Sequence, residues 1–248
     1  MKFKTILAVV WRRQRRYDSK NPNKGERRRV EMVKVLLLSA NPVDAVLNID
    51  EEFRAIDAKV RSSEHRNHVD LIKHGAVRLQ DIPSLLMRHK PDVVHFSGHG
   101  AANGIALTGI DGTGQVVPPN TLANIFRVLK DNVRVVVLNA CDSALQAEAI
   151  VSVIDCAVGM SDKINDAAAI AFSAAFYEAL GYGRSVQDAY DLALVQIAGT
   201  GANTSLAKLY NRQTVKPAEV ILVAQSSPRE QLTEFPEALA MGDRPDPF

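Results

Sequence analysis

The chain contains little cysteine and no long apolar stretch. Two cysteines among 248 residues are too few for a disulfide scaffold and are typical of a protein from a reducing compartment. The longest strongly apolar run, residues 167–175, contains a serine and is far shorter than the roughly 20 residues that a membrane-spanning helix needs. We therefore expect a cytoplasmic protein that does not bind membranes.

Several cofactor-binding and catalytic motifs are also missing. The sequence has no P-loop and no G-x-S-x-G motif, which excludes the usual signatures of a nucleotide-binding ATPase and of a serine hydrolase. Gly109, Gly112 and Gly114 lack the order and the strand-to-helix context of a dinucleotide-binding loop. No C-x-x-C or H-E-x-x-H motif is present to bind zinc. The residues therefore argue against a zinc site and against a bound nucleotide.

Charge is distributed unevenly along the chain. Residues 1–34 carry twelve lysines and arginines against three acidic residues, although the net charge of the whole chain is only +2. This arm lacks the motifs of specific nucleic-acid recognition, so we expect at most non-specific, salt-sensitive binding of nucleic acid. Residues 225–248 are rich in proline and lack periodicity, which is typical of disorder. We predict a flexible arm at 1–32, a folded domain at 33–224 and a disordered tail at 225–248.

Strand and helix patterns alternate along the predicted domain. Apolar, β-branched segments at 33–39, 93–97 and 133–138 are typical of strands buried on both faces. The helical spacing of Ile49 and Phe53, continued by Ile56 and Val60, predicts an amphipathic helix, and acidic residues 50–52 suit the positive end of its dipole. Such alternation predicts an α/β fold with a doubly wound, mostly parallel sheet flanked by helices.

The remaining elements follow from the same patterns. Short extended segments at 104–108 and 115–117 flank an Asp111-Gly112 turn signal, which predicts a β-hairpin insertion. Asp166 is predicted to cap the helix that follows it. Further strands are predicted at 69–72, 156–160 and 220–223, and further helices at 82–89, 121–129, 144–153, 166–180 and 185–197.

The first candidate catalytic segment is HFSGHG at residues 95–100. In a doubly wound sheet the ligands bind at the carboxyl ends of the strands, and this segment ends a buried strand. His99, between two glycines, is placed to act as a general base, and the backbone N–H of Gly100 can approach a substrate carbonyl as an oxyanion donor. His95 lies inside the strand, and we expect a hydrogen-bonded core residue there.

The second candidate segment is LNACDS at residues 138–143. Cys141 lies just past a strand and close to a helix start, where the helix dipole and a nearby imidazole favour a thiolate nucleophile. A free cysteine is more often a small buried hydrophobic residue, and Cys156 fits that description because it begins an apolar strand. Joint zinc binding by His95, His99 and Cys141 is unfavourable, since strand residues four apart are separated by about 13 Å.

Together these segments resemble the signature of the CHAT domain, a caspase-like family of clan CD cysteine peptidases related to separases and metacaspases. The resemblance covers residues 33–224 and also includes GIALTGIDGTGQVV at 104–117 and the segment 158–193. It implies a caspase-like fold and a cofactor-free cysteine endopeptidase. His99 would be the base, Cys141 the nucleophile, and the N–H groups of Gly100 and Cys141 the oxyanion hole.

The resemblance also implies a substrate preference and a partner. In the separase and metacaspase relatives, a carboxylate receives an arginine or lysine at P1, the substrate residue before the cleaved bond. Asp162, after the predicted strand 156–160, is the first candidate for that carboxylate, and Asp142 beside Cys141 is the second. We expect a protein or peptide substrate, an activating sensor protein, and a role in signalling or defence. The alternative is a catalytically silent, caspase-like binding or signalling module.

Overall fold

The computed structural model describes residues 32–41, 47–101 and 104–223. The predicted basic arm lies outside these ranges except for residue 32, and the predicted tail at 225–248 lies outside them completely. Both stay predictions. The described residues form nine strands, β1 (Val33–Ala40), β2 (Val69–His74), β3 (Val93–Gly98), β4 (Gly100–Ala101), β5 (Gly104–Thr108), β6 (Gly114–Val117), β7 (Val135–Asn139), β8 (Cys156–Met160) and β9 (Ala207–Asn211).

Six α-helices accompany these strands within the described ranges. They are α1 (Ile49–Ser62), α2 (Asp81–His89), α3 (Pro119–Leu129), α4 (Ala144–Ile150), α5 (Asp166–Gly181) and α6 (Val186–Gly199). None of the described helices is both long enough and apolar enough to cross a bilayer. The predicted helix at 144–153 ends three residues early, at Ile150.

The central sheet has the strand order β2-β1-β3-β7-β8-β9. Neighbouring strands are parallel, except that β9 runs antiparallel to β8. Val35 and Leu37 of β1 pack in one apolar core with α1, α5 and α6, whereas Leu36 and Leu38 pack in a second core with α2, α3 and α4. Because successive strand residues point to opposite faces, helices cover both faces, which confirms the predicted doubly wound α/β fold.

The predicted hairpin is also confirmed, and it has an additional strand. β5 and β6 pair antiparallel around the turn, and β4 adds a third strand by pairing Gly100 with Ile105. At two residues, β4 is too short for a periodic pattern to predict. It begins immediately after His99, whose carbonyl accepts a hydrogen bond from the Ala106 N–H at 2.9 Å. The hairpin therefore fixes the backbone beside the first candidate catalytic segment.

The edge strand predicted at 220–223 was wrong. In this region the chain forms the 3-10 helix Pro217–Glu219, followed by an isolated bridge between Ser185 and Ile221. The edge strand is β9 instead, in which Ala207 is buried and Lys208 is exposed. Only Ala207 of this strand is buried, and the segment is less apolar than residues 220–223, where Val220 and Val223 are buried without joining the sheet.

Candidate active site

The two candidate catalytic segments lie side by side because β3 and β7 are neighbours in the sheet. The register pairs Ser97 with Asn139, and two residues further along each chain come His99 and Cys141. A side chain at Gly100 would overlap the backbone carbonyl of Cys141, so the two backbones are in close contact. The fold therefore brings His99, Gly100 and Cys141 together at the carboxyl edge of the sheet.

A small pocket opens beside these residues. His99 and Cys141 both line it, and both side chains are partly exposed. Much of the remaining wall is apolar and comes from the start of α1 and from the region around α5. These apolar residues include Leu47, Ile49, Ile164, Ala169 and Ile170, and the two carboxylates of the lining are Glu52 and Asp166.

The turn that carries Cys141 is held by a buried hydroxyl and by an unusual backbone conformation. The Ser143 hydroxyl donates to the Leu138 carbonyl at 2.9 Å and accepts from the Met160 N–H at 2.9 Å, which connects the ends of β7 and β8. Asp142 has a φ of +53°, a left-handed conformation in which aspartate is several-fold enriched among residues other than glycine. The aspartate at 142 is thus explained by the turn.

The two cysteines occupy different environments. The Cys141 thiol faces the pocket and donates to the Ile164 carbonyl at 4.0 Å. Cys156 lies in the core on β8, where burial, together with the charge of Asp155, raises the pKa of its thiol to about 12. A thiol with so high a pKa is almost entirely protonated at neutral pH and is a poor nucleophile.

Asp162 and Asp142, the two aspartates assigned to the P1 pocket by the family resemblance, are not among the described residues that line the pocket. Asp162 is exposed, and its carboxylate accepts from the N–H of Lys163 at 2.7 Å. Asp166 does line the pocket, and its carboxylate accepts from the Asn48 N–H at 3.3 Å.

The prediction that Asp166 caps α5 was wrong. The cap is Asn165, which has the extended backbone of an N-cap and accepts from the Ala168 N–H at 2.8 Å. Asp166 is the first residue inside the helix. Its carboxylate is therefore not needed as the cap and can face the pocket.

Two known groups of proteins resemble this chain in sequence, a domain family and a bacterial relative. A sequence profile of the CHAT domain matches residues 12–211, a span that begins inside the predicted basic arm. The chain belongs to the CHAT domain family. A curated relative described as a probable protease, from Gillisia limnaea, is 24% identical over 162 residues, which are 62% of this chain and 28% of that relative. The chain thus spans less than a third of the relative's length. Together the comparisons support a caspase-like protease family.

The sequence analysis missed a buried carboxylate beneath the site of this CHAT domain. Glu52 is only 4% exposed, and one of its oxygens accepts from His95 Nε2 at 3.1 Å, Asn139 Nδ2 at 2.6 Å and Ser173 Oγ at 2.7 Å. Its other oxygen accepts from Ser97 Oγ. A sequence signal existed, because Glu52 lies three residues after Ile49 and four before Ile56, on the buried face of α1. The burial of Glu52 was not predicted because residues 50–52 were all explained by the positive end of the helix dipole.

His95 is a hydrogen-bonded core residue of the CHAT domain, as predicted. Its ring is fully buried and packs edge-on against Tyr177, with the ring centroids 5.6 Å apart. Its Nε2 atom lies 3.1 Å from the Glu52 carboxylate, so the residue helps to satisfy a buried polar group. Within the described ranges, no group of three or more histidine, cysteine, aspartate or glutamate side chains is arranged to hold a metal ion.

The Glu52 network predicts how the CHAT domain responds to acid. Burial alone raises the pKa of Glu52, but the hydrogen bond and charge of His95, with the hydroxyls of Ser173 and Ser97, bring it below the ordinary value of 4.5. A lowered pKa gives stability that is complete above pH 4.5 and is lost as the pH falls through the folded-state pKa. We expect Glu52→Gln to lower the free energy of unfolding by about 1–3 kcal/mol at neutral pH.

This loss should shrink as the solution is acidified below pH 4.5, because the wild type then loses the same contribution. Urea unfolding of both proteins over a series of pH values measures the difference. A difference that stays constant through the acid range would contradict a lowered pKa of Glu52.

Proposed function

We propose that this CHAT domain is a cysteine endopeptidase in which His99 and Cys141 form a catalytic dyad. The observation that carries the proposal is that both side chains line one pocket at the ends of adjacent parallel strands. The thiol would lose its proton to the imidazole of His99, and Cys141 Sγ would attack the peptide carbonyl to form a thioester. His99 would return that proton to the leaving amine, and water would then hydrolyse the thioester.

The backbone N–H groups of Gly100 and Cys141 are the proposed oxyanion donors. Gly100 has no side chain to block a substrate carbonyl, and its backbone contacts that of Cys141. Two N–H groups held beside the thiol would stabilise the negative oxygen of the tetrahedral intermediate without having to reorganise during the reaction.

We further propose cleavage after a basic P1 residue, with the pocket beside Cys141 as its binding site. The apolar side chains of Ile49, Ile164 and Ile170 offer contacts for the aliphatic stem of arginine or lysine. The Asp166 carboxylate, which the sequence analysis had assigned to capping, offers a partner for the cationic head. Asp162 and Asp142 remain candidates at the edge of the sheet, outside the pocket lining.

A panel of peptides that differ only at P1 tests this preference on the wild type and on Asp166→Asn, Asp162→Asn and Asp142→Asn. Asparagine keeps the shape of each side chain and also suits the left-handed backbone at residue 142. We expect kcat/KM to be highest for arginine, then lysine, and a loss of about 10- to 100-fold for basic peptides in Asp166→Asn, since an unpaired guanidinium would be left in the pocket.

Each assay is run with and without a cell extract, so that the predicted activating sensor protein is available. Wild-type preference for aspartate at P1 would overturn the proposed specificity. An unchanged basic preference in all three variants would place the P1 carboxylate elsewhere.

A further inference from the structure

The carboxylate of Glu52 joins the two catalytic strands at equivalent positions. Ser97 Oγ on β3 donates to one carboxylate oxygen, and Asn139 Nδ2 on β7 donates to the other at 2.6 Å. Ser97 and Asn139 are register partners across the sheet. Each of them lies two residues before a member of the dyad, Ser97 before His99 and Asn139 before Cys141. One side chain on α1 therefore connects both strand ends immediately before they reach the pocket.

The Glu52 carboxylate accepts hydrogen bonds from four side chains of the protein itself. His95 Nε2 and Ser173 Oγ donate to the same oxygen as Asn139, at 3.1 and 2.7 Å. Four donors match the roughly four lone-pair positions that a carboxylate offers. Although Glu52 lies in the pocket wall, it is only 4% exposed, and its carboxylate is already engaged by four donors of the protein. Its role is to hold the protein's own donors rather than to bind P1.

A buried charge of this kind is costly unless it is paired and hydrogen-bonded, and an apolar side chain of similar size often gives equal or better stability. Stability alone therefore does not explain a carboxylate at this position. What the carboxylate supplies is a fixed geometry, because two donors on adjacent strands must converge on one rigid group.

We propose that Glu52 is a positioning residue that sets the spacing of His99 and Cys141 by holding Ser97 and Asn139 together. This proposal rests on the proposed function. Glu52 does not touch the reacting atoms, and it acts through the two strand ends. A displacement of about 1 Å between catalytic groups can cost about 100-fold in rate, so loss of the connection should lower kcat and leave substrate binding largely unchanged.

The first test compares Glu52→Gln with Glu51→Gln in the full chain. Glutamine has the shape of glutamate, but its NH₂ group cannot accept from Ser97 or Asn139. We expect kcat to fall about 10- to 100-fold in Glu52→Gln, with KM within about threefold of wild type and the P1 preference unchanged. Glu51 is a half-exposed neighbour on α1 that pairs only with Arg54 among the described contacts, and its variant should keep the wild-type kcat.

The second test leaves Glu52 unchanged, so it can be carried out even if Glu52→Gln does not fold. Ser97→Ala deletes the hydroxyl donor on β3. Ser63→Ala is the control, because it deletes an equally buried hydroxyl just after α1, which donates to the Val60 carbonyl at 2.6 Å and has no described contact with Glu52. If the loss of a buried hydroxyl mattered only for stability, both variants should have similar kcat values. The positioning role predicts a lower kcat for Ser97→Ala and an almost unchanged kcat for Ser63→Ala, even where both lower the unfolding temperature.

Three results would overturn the proposal, and they can be distinguished. Equal kcat values for Ser97→Ala and Ser63→Ala, or a Glu52→Gln effect confined to KM, would remove the positioning role and leave the dyad in place. Wild-type hydrolysis no higher than that of Cys141→Ala, with and without extract, would remove the proposed function and the positioning role with it.

Discussion

Alanine at Cys141 or at His99 is expected to lower peptide hydrolysis by about 10,000-fold or more, and the double variant should be no slower than the slower single variant. The effects should not add because, in the proposed dyad, the imidazole is useful only while it can take the proton of the thiol, and the thiol attacks efficiently only after it has lost that proton. Steady-state kcat/KM with a fluorogenic peptide measures the loss, and circular dichroism establishes that each variant is folded.

Cys156→Ala is the matched control for this prediction. The same atoms are removed, but from a core position on β8 where burial keeps the thiol protonated. Its kcat/KM should stay close to the wild-type value once any loss of stability is taken into account. Normal turnover by folded Cys141→Ala would contradict the dyad. Loss of turnover in folded Cys156→Ala alone would reverse the roles assigned to the two thiols.

Gly100→Ala is expected to lower kcat/KM by about 100-fold or more although it adds a single methyl group. The new Cβ would overlap the carbonyl of Cys141. Because this neighbour is backbone and not the end of a flexible side chain, either Cys141 or the segment after His99 must move. The substitution therefore separates the base from the nucleophile and displaces a proposed oxyanion donor in one step.

Gly199→Ala provides the control for Gly100→Ala. Gly199 ends α6, and a Cβ built there meets no other atom within 4 Å. This variant should retain full activity and equal or greater stability, since alanine favours helices more than glycine does. Wild-type kcat/KM in a folded Gly100→Ala protein would show that the Gly100 backbone lies away from the reacting thiol.

Most of the architecture could be predicted from the sequence because the strands of a doubly wound sheet are buried on both faces. Such strands are continuous apolar segments, and β1, β3, β7 and β8 all appeared close to their predicted bounds. β9 was missed because it is an edge strand with one side exposed, so its signal is weak. β4 was missed because two residues are too few to show a periodic pattern. Its pairing depends on the hairpin that follows.

The site was predictable where its chemistry is local to one segment and unpredictable where it depends on distant contacts. His99 and Cys141 each follow a recognisable buried strand, and the sheet order alone places them together. Glu52 accepts hydrogen bonds from Ser97, 45 residues further along the chain, and from Asn139, 87 residues further, and these contacts depend on how α1 packs. Asp166 faces the pocket only because Asn165 takes the capping role. The helical spacing of Glu52 indicates that it is buried, but no short pattern identifies its partners on β3 and β7 or selects Asn165 as the cap.

The dyad is tested most directly by covalent labelling with a peptidyl acyloxymethyl ketone that carries arginine at P1, followed by peptide mapping with mass spectrometry. The predicted result is one label per chain, on Cys141, that disappears in His99→Ala and leaves the buried Cys156 unmodified. A label of equal extent in folded His99→Ala, or a label on Cys156 instead of Cys141, would contradict catalysis by the His99–Cys141 dyad.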